Sequence, residues 1–114
     1  MKKIAILTCL RACQVCTGAS CLQAWNDKSR YFSAYADEEV QLVAFAHCNG
    51  CDSDPATDKG MQEKLDRLQK IGVDMVHTGV CTMMGRDNPT QCPKITAILD
   101  ELHKRGIQTT HGTH

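Results

Sequence analysis

Four short apolar runs punctuate the chain: Ile4 to Thr8, Val40 to Ala46, Val73 to Val76 and Ile107 to Thr110. Each has strand length, and each is too apolar to leave one side in water, as expected of strands covered on both faces of a parallel sheet. Between them the spacing becomes helical. Met61, Leu65, Leu68 and Ile71 form one stripe, and Ile95, Ile98, Leu99 and Leu102 form another, each recurring every three or four residues. Gly72 and Gly106 stop these helices. Thr57 or Asp58 is placed to cap the earlier one, and Pro93 falls in the first turn of the later one, where its missing N–H costs nothing. A less regular helical segment lies between Thr17 and Tyr35, with Leu22, Trp25 and Phe32 as its apolar face and a break expected near Asn26-Asp27. The order β-α-β-α-β-α-β predicts the α/β class: a single-domain three-layer sandwich over residues 1–114, with a four-stranded parallel sheet of the Rossmann or flavodoxin kind. Sheets of this kind bind ligands beyond the carboxyl ends of their strands, near the switch in strand order.

That rule gives the cysteines and histidines a meaning. Cys9, Cys13 and Cys16 follow the first strand, His47, Cys48 and Cys51 the second; His77 and Cys81 end the third, Cys92 precedes the last helix, and His111 and His114 end the fourth strand. All fall at one edge of the sheet. Only Cys21 and His103 are read inside helices. Cys21 is equally well a small buried hydrophobe, and His103, beside Lys104 and Arg105, is a surface cation at a helix C-terminus. Thiolate and imidazole are the ligands that zinc and iron–sulfur centres select. Cys48-Asn49-Gly50-Cys51 and Cys13-Gln14-Val15-Cys16 both have C-x2-C spacing, which reaches the roughly 3.7 Å between two sulfurs of a zinc tetrahedron. Gly50 supplies the freedom such a turn needs. Cys92, at a helix start, meets the positive end of the helix dipole, which favours a thiolate. The expected metal ligands come from Cys9, Cys16, Cys48, Cys51, Cys81, Cys92, His77 and His114, with Cys48 and Cys51 as anchors. Zinc is the expected ion and an iron–sulfur cluster the alternative.

Composition narrows the field further. Eight cysteines among 114 residues are about 7% of the chain, short of a disulfide scaffold yet far above ordinary cytosolic usage. A chain this long buries enough surface to fold without staples. Lys plus Arg equals Asp plus Glu at 13 each, with no block of either sign, so neither nucleic acid nor an anionic membrane is an expected partner. Trp25, Tyr31, Phe32, Tyr35 and Phe45 do not interleave with basic residues as a base-stacking surface would. No apolar run approaches the ~18 residues of a membrane span. Lys2-Lys3 ahead of Ile4 to Leu7 imitates an export signal, but Arg11 interrupts it too early. A cytoplasmic protein with reduced thiols is expected.

Other chemistries fit less well. There is no Walker loop and no G-x-G-x-x-G. Cys9-x3-Cys13-x2-Cys16 has the spacing of a radical S-adenosylmethionine cluster motif, without the chain length for that barrel. The Cys-x5-Arg loop of small phosphatases is absent, since Cys81 to Arg86 is one residue short. A thiol-dependent oxidoreductase using a cysteine pair is the runner-up. Against it, Asp52 to Ala56 separate Cys51 from the next helix, and Asp52 and Asp54 oppose a thiolate there. A metal-dependent hydrolase would have only Asp52, Asp54 and Asp87 as loop acids near the cysteines.

Along nearly its whole length the chain resembles the CGGC domain family, named for a central Cys-Gly-Gly-Cys. The resemblance is carried by Cys9, Cys16 to Cys21, Cys48-Asn49-Gly50-Cys51, the His77 to Cys81 stretch, Cys92-Pro93 and Gly112-Thr113-His114. Asn49 stands where the naming motif has glycine. The resemblance implies metal binding through cysteine and histidine and brings no reaction with it.

Overall fold

The computed structural model describes residues 1–85 and 87–114. Arg86, against which the Cys-x5-Arg spacing was measured, lies outside the described residues. The principal elements are β1 (Lys2–Thr8), α1 (Ala19–Asp27), β2 (Val40–His47), α2 (Lys59–Ile71), β3 (Met75–Thr78), β4 (Met83–Met84), β5 (Thr90–Gln91), α3 (Pro93–Lys104) and β6 (Gln108–His111). Short 3-10 turns cover Ala12–Gln14, Arg30–Tyr35 and Val80–Thr82. β2, β1, β3 and β6 lie side by side in that order, every pair parallel, so the predicted four-stranded parallel sheet is present. The first crossover leads to one side of β1 and the next returns to its other side, which places the switch in strand order between β1 and β3. The two-residue antiparallel pair β4–β5 has no counterpart in the predicted elements, because two residues are too few to show a period.

β1 shows why three layers form. Ile4 and Ile6 face Trp25, Phe32 and Tyr35 on the α1 side, while Ala5 and Leu7 face Met61, Leu65, Ile95 and Leu102 on the side of α2 and α3. Successive side chains of a strand point to opposite faces, so a strand between two helical layers is apolar throughout. The break in the first helical segment falls where expected: α1 ends at Asp27, and Lys28 turns the chain with φ +51°. Its buried face differs from the expected one. Cys21, Ala24 and Trp25 point inward, whereas Leu22 is 39% exposed. Two small residues, not the leucine, complete the stripe. Among the described residues no helix is long and apolar enough to cross a membrane.

Asp58 caps α2. Its carboxylate accepts from the Met61 N–H at 2.8 Å and from the Asn49 side-chain amide at 2.7 Å. Both bonds hold its pKa below the usual carboxylate value, the Asn49 bond contributing most. Asn49 also accepts from Lys64 Nζ at 2.6 Å, so the residue in place of the motif glycine ties the Cys48–Cys51 turn to the start of α2. An Asp58→Ala variant is expected to unfold at a lower urea concentration than the natural protein. An unchanged midpoint would show that the cap is immaterial.

Candidate functional site

Beyond Thr8 the chain turns sharply. Cys13 N–H donates to the Cys9 carbonyl at 3.1 Å, and Cys16 N–H donates to that of Ala12 at 2.8 Å. These bonds coil residues 9–16 over the end of β1 and set Cys13 Sγ 3.4 Å from Thr8 Oγ1. Gly18 then caps α1 with φ +77°; a Cβ there would stand 3.1 Å from the Phe45 ring. Because the helix begins at Ala19, Cys21 lies in its first turn, buried, with Sγ 3.2 Å from Thr113 Oγ1. From the 3-10 turn that follows β3, Cys81 brings its sulfur to the same place and accepts the Cys9 N–H at 3.4 Å. Gly79 lies close beside it: an added Cβ would stand 3.3 Å from the Thr8 methyl and 3.4 Å from the Cys81 sulfur.

Cys13, Cys16, Cys21, Cys81 and His114 thus line one pocket of about 220 Å³ at the switch between β1 and β3, closed on its apolar side by Phe45 and Val80. Burial pushes the Cys81 thiol up from its ordinary pKa; the Cys9 N–H opposes this, and the nearby Cys9, Cys21 and Cys13 reinforce it. The physical meaning is plain. A thiolate is poorly solvated here, and several thiolates would repel one another. A cation between them reverses both effects.

The remaining expected ligands are divided by the sheet. Cys48 is buried in the core on the α2 and α3 side, its sulfur accepting the Leu10 N–H at 3.3 Å. Cys51 is exposed. Cys92 is the N-cap of α3 and packs partly buried against the same core as Cys48. None of these three lines the thiol pocket. For Cys48 the reason is a bulge: Ile4 pairs with Leu42 but Ala5 with Ala44. Leu42 packs on the α1 side, whereas Ala44 and Ala46 pack on the other, and Cys48 follows them. Were Val43 an ordinary paired residue instead of the extra one of the bulge, strict alternation from Leu42 would carry Cys48 to the face of the pocket.

His77 also leaves the candidate set. It is buried against Phe32, with Nδ1 2.8 Å from the Gly112 carbonyl and Nε2 2.7 Å from the Tyr35 hydroxyl. A carbonyl only accepts, so Nδ1 carries the proton and Nε2 receives the Tyr35 O–H. No ring lone pair remains for a metal. His111 is held by Thr78 at 2.9 Å and His103 by Thr109 at 2.8 Å. Cys13 and Cys21, by contrast, line the pocket without being among the ligands expected from the sequence. The available signal for Cys21 was Gly18, which starts the helix late enough to put Cys21 at its mouth. Among the described residues no three Cys, His, Asp or Glu side chains stand ready as a metal cage; the donors share a pocket without converging on a point.

Burial lowers the His77 pKa below 6.5, against a smaller upward effect of the Gly112 carbonyl. In the unfolded chain the imidazole returns to about 6.5. The unfolded state therefore binds more protons between the two values, and stability falls as pH drops below about 6.5 until the folded value is passed. Urea midpoints at pH 7.5 and pH 5 are expected to differ more for the natural protein than for His77→Gln. Equal losses in both would refute this.

The CGGC domain family model matches residues 3–114. The chain is similar to an uncharacterized protein of Methanocaldococcus jannaschii, 34% identical over 98% of this chain and 86% of the relative. No solved structure matches. The chain belongs to the CGGC domain family.

Proposed function

We propose that this CGGC domain binds a thiophilic metal ion, zinc foremost, in the pocket at the β1/β3 switch. The observation that carries the reading is the gathering of Cys13, Cys16, Cys21 and Cys81, with His114, around one pocket built from four separate stretches of chain. The donor chemistry fits: thiolates and imidazole are what zinc selects, and four donors complete a tetrahedral shell. Cys13, Cys16, Cys21 and Cys81 would hold the ion, with Cys9 and His114 as the nearest substitutes. The bound ion would supply positive charge that keeps buried sulfurs ionised. Cys13 and Cys16 sit on a 3-10 turn and its exit, outside any long helix, and this turn is the segment whose movement would close the shell. All eight cysteines are free thiols, in keeping with a reducing compartment such as the cytoplasm.

Elemental analysis of protein purified without added metal tests this, together with zinc titration of the metal-free chain. Stoichiometric zinc is expected, lost in Cys13→Ser and Cys21→Ser and kept in Cys51→Ser. Iron with a broad visible absorbance would put an iron–sulfur cluster in the pocket instead. No retained metal and no zinc uptake would overturn the reading.

A further inference from the structure

We propose that Cys9 and Cys81 are a paired oxidation site, closing to a reversible disulfide across the switch between β1 and β3. The two strands are adjacent and in register up to Leu7 opposite Thr78, and Gly79 N–H continues the ladder by donating to the Leu7 carbonyl at 2.9 Å. Neighbouring strands lie about 4.8 Å apart, inside the roughly 4.4–6.8 Å between Cα atoms that a disulfide accepts. Cys9 follows β1 by one residue. Cys81 lies in the 3-10 turn Val80–Thr82, which draws it back toward β1 and leaves its sulfur 3.4 Å from the Cys9 backbone nitrogen. The Cys9 Cα is one bond of about 1.5 Å from that nitrogen. The Cys9 side chain thus starts beside the Cys81 sulfur and is near enough to act on it electrostatically, and rotation about its Cα–Cβ bond is the movement by which the pair would close.

The other thiols are held differently. The Cys13 sulfur lies 3.4 Å from the Thr8 hydroxyl, the Cys21 sulfur is buried against Thr113, and the Cys16 sulfur accepts the Gly18 N–H at 3.3 Å; Cys48 and Cys92 pack across the sheet, and Cys51 is exposed outside the pocket. Cys9 and Cys81 are both partly open to solvent. With hydrogen peroxide as oxidant, one thiol gives up its proton and attacks a peroxide oxygen as thiolate; the O–O bond breaks, a sulfenic acid forms, and the hydroxide released takes up that proton and leaves as water. The second sulfur displaces hydroxide from the sulfenic sulfur, the S–S bond forms, and the lost proton makes a second water. Two thiols and one peroxide give one disulfide and two waters. Resting on the metal reading above, the same bond withdraws Cys81 from the pocket and makes metal retention depend on oxidant.

Metal-free protein treated with hydrogen peroxide, blocked with N-ethylmaleimide and digested without reductant is expected to yield a Cys9–Cys81 linked peptide from monomeric chain. The link disappears with dithiothreitol and is absent in Cys9→Ser. A different linked pair, or oxidised cysteines with none joined, overturns the proposal whatever the pocket binds. In zinc-loaded protein the same treatment is expected to lower zinc affinity at least ~100-fold. Unchanged affinity in chains shown to carry the bond would leave the disulfide standing and overturn its coupling to the metal.

Discussion

Replacing Gly112 by alanine is expected to lower folding stability by roughly 2–4 kcal/mol. Gly112 has φ +113°, a conformation that a residue with a side chain rarely adopts, and an added Cβ would overlap the Tyr31 ring. Tyr31 is half exposed, so its ring can swing aside, at the cost of its edge contact with His111. The backbone strain has no such outlet. Gly112 N–H donates to the Thr78 carbonyl at 2.7 Å, while its own carbonyl receives His77 Nδ1–H. Moving the peptide therefore loosens His77, its bond to Tyr35, and the buried Thr113 that meets Cys21. Urea denaturation of Gly112→Ala, and of Gly112→Ala combined with Tyr31→Ala, separates the two causes. The double variant should recover only the part due to the clash. A single variant as stable as the natural protein would show that this segment does not brace the pocket.

How far the primary structure foretold all this differs by residue. The caps at Asp58 and Cys92-Pro93 and the stops at Gly72 and Gly106 were legible because each depends on neighbours within a turn. The parallel sheet was legible because β1 is apolar at every position from Ile4 to Leu7, which only two covering layers explain. The edge to which the cysteines belong followed from that. Their division between faces did not. It turns on the extra residue Val43, and in the run Leu-Val-Ala nothing marks a bulge, since all three side chains are apolar on either face. Spacing alone thus favoured Cys48 and Cys51, whose sequence proximity says nothing of which layer a sulfur enters. Cys21 was hidden for another reason: at helical spacing a buried cysteine and a ligand look alike, and only contact with Thr113 and the pocket separates them.

Cys81→Ser is expected to weaken zinc binding by about 100-fold or more. Structural zinc sites are worth about 10–16 kcal/mol at neutral pH, so each of four ligands carries roughly 2.5–4 kcal/mol, and a serine hydroxyl does not ionise to replace a thiolate. The pH dependence sharpens the test. Burial keeps the Cys81 thiol protonated to a higher pH than usual, so the metal must displace its proton across the neutral range, and affinity rises with pH. That contribution is about tenfold per pH unit for each proton released. In Cys81→Ser one such proton is missing, and the slope of log affinity against pH should fall by about one. Competition with a chromophoric chelator between pH 6 and 8 measures both quantities, with Cys51→Ser as the reference, since its side chain is exposed and outside the pocket. Unaltered affinity and slope in Cys81→Ser, with loss of both in Cys51→Ser, would move the metal to the Cys48–Cys51 turn and away from the strand switch.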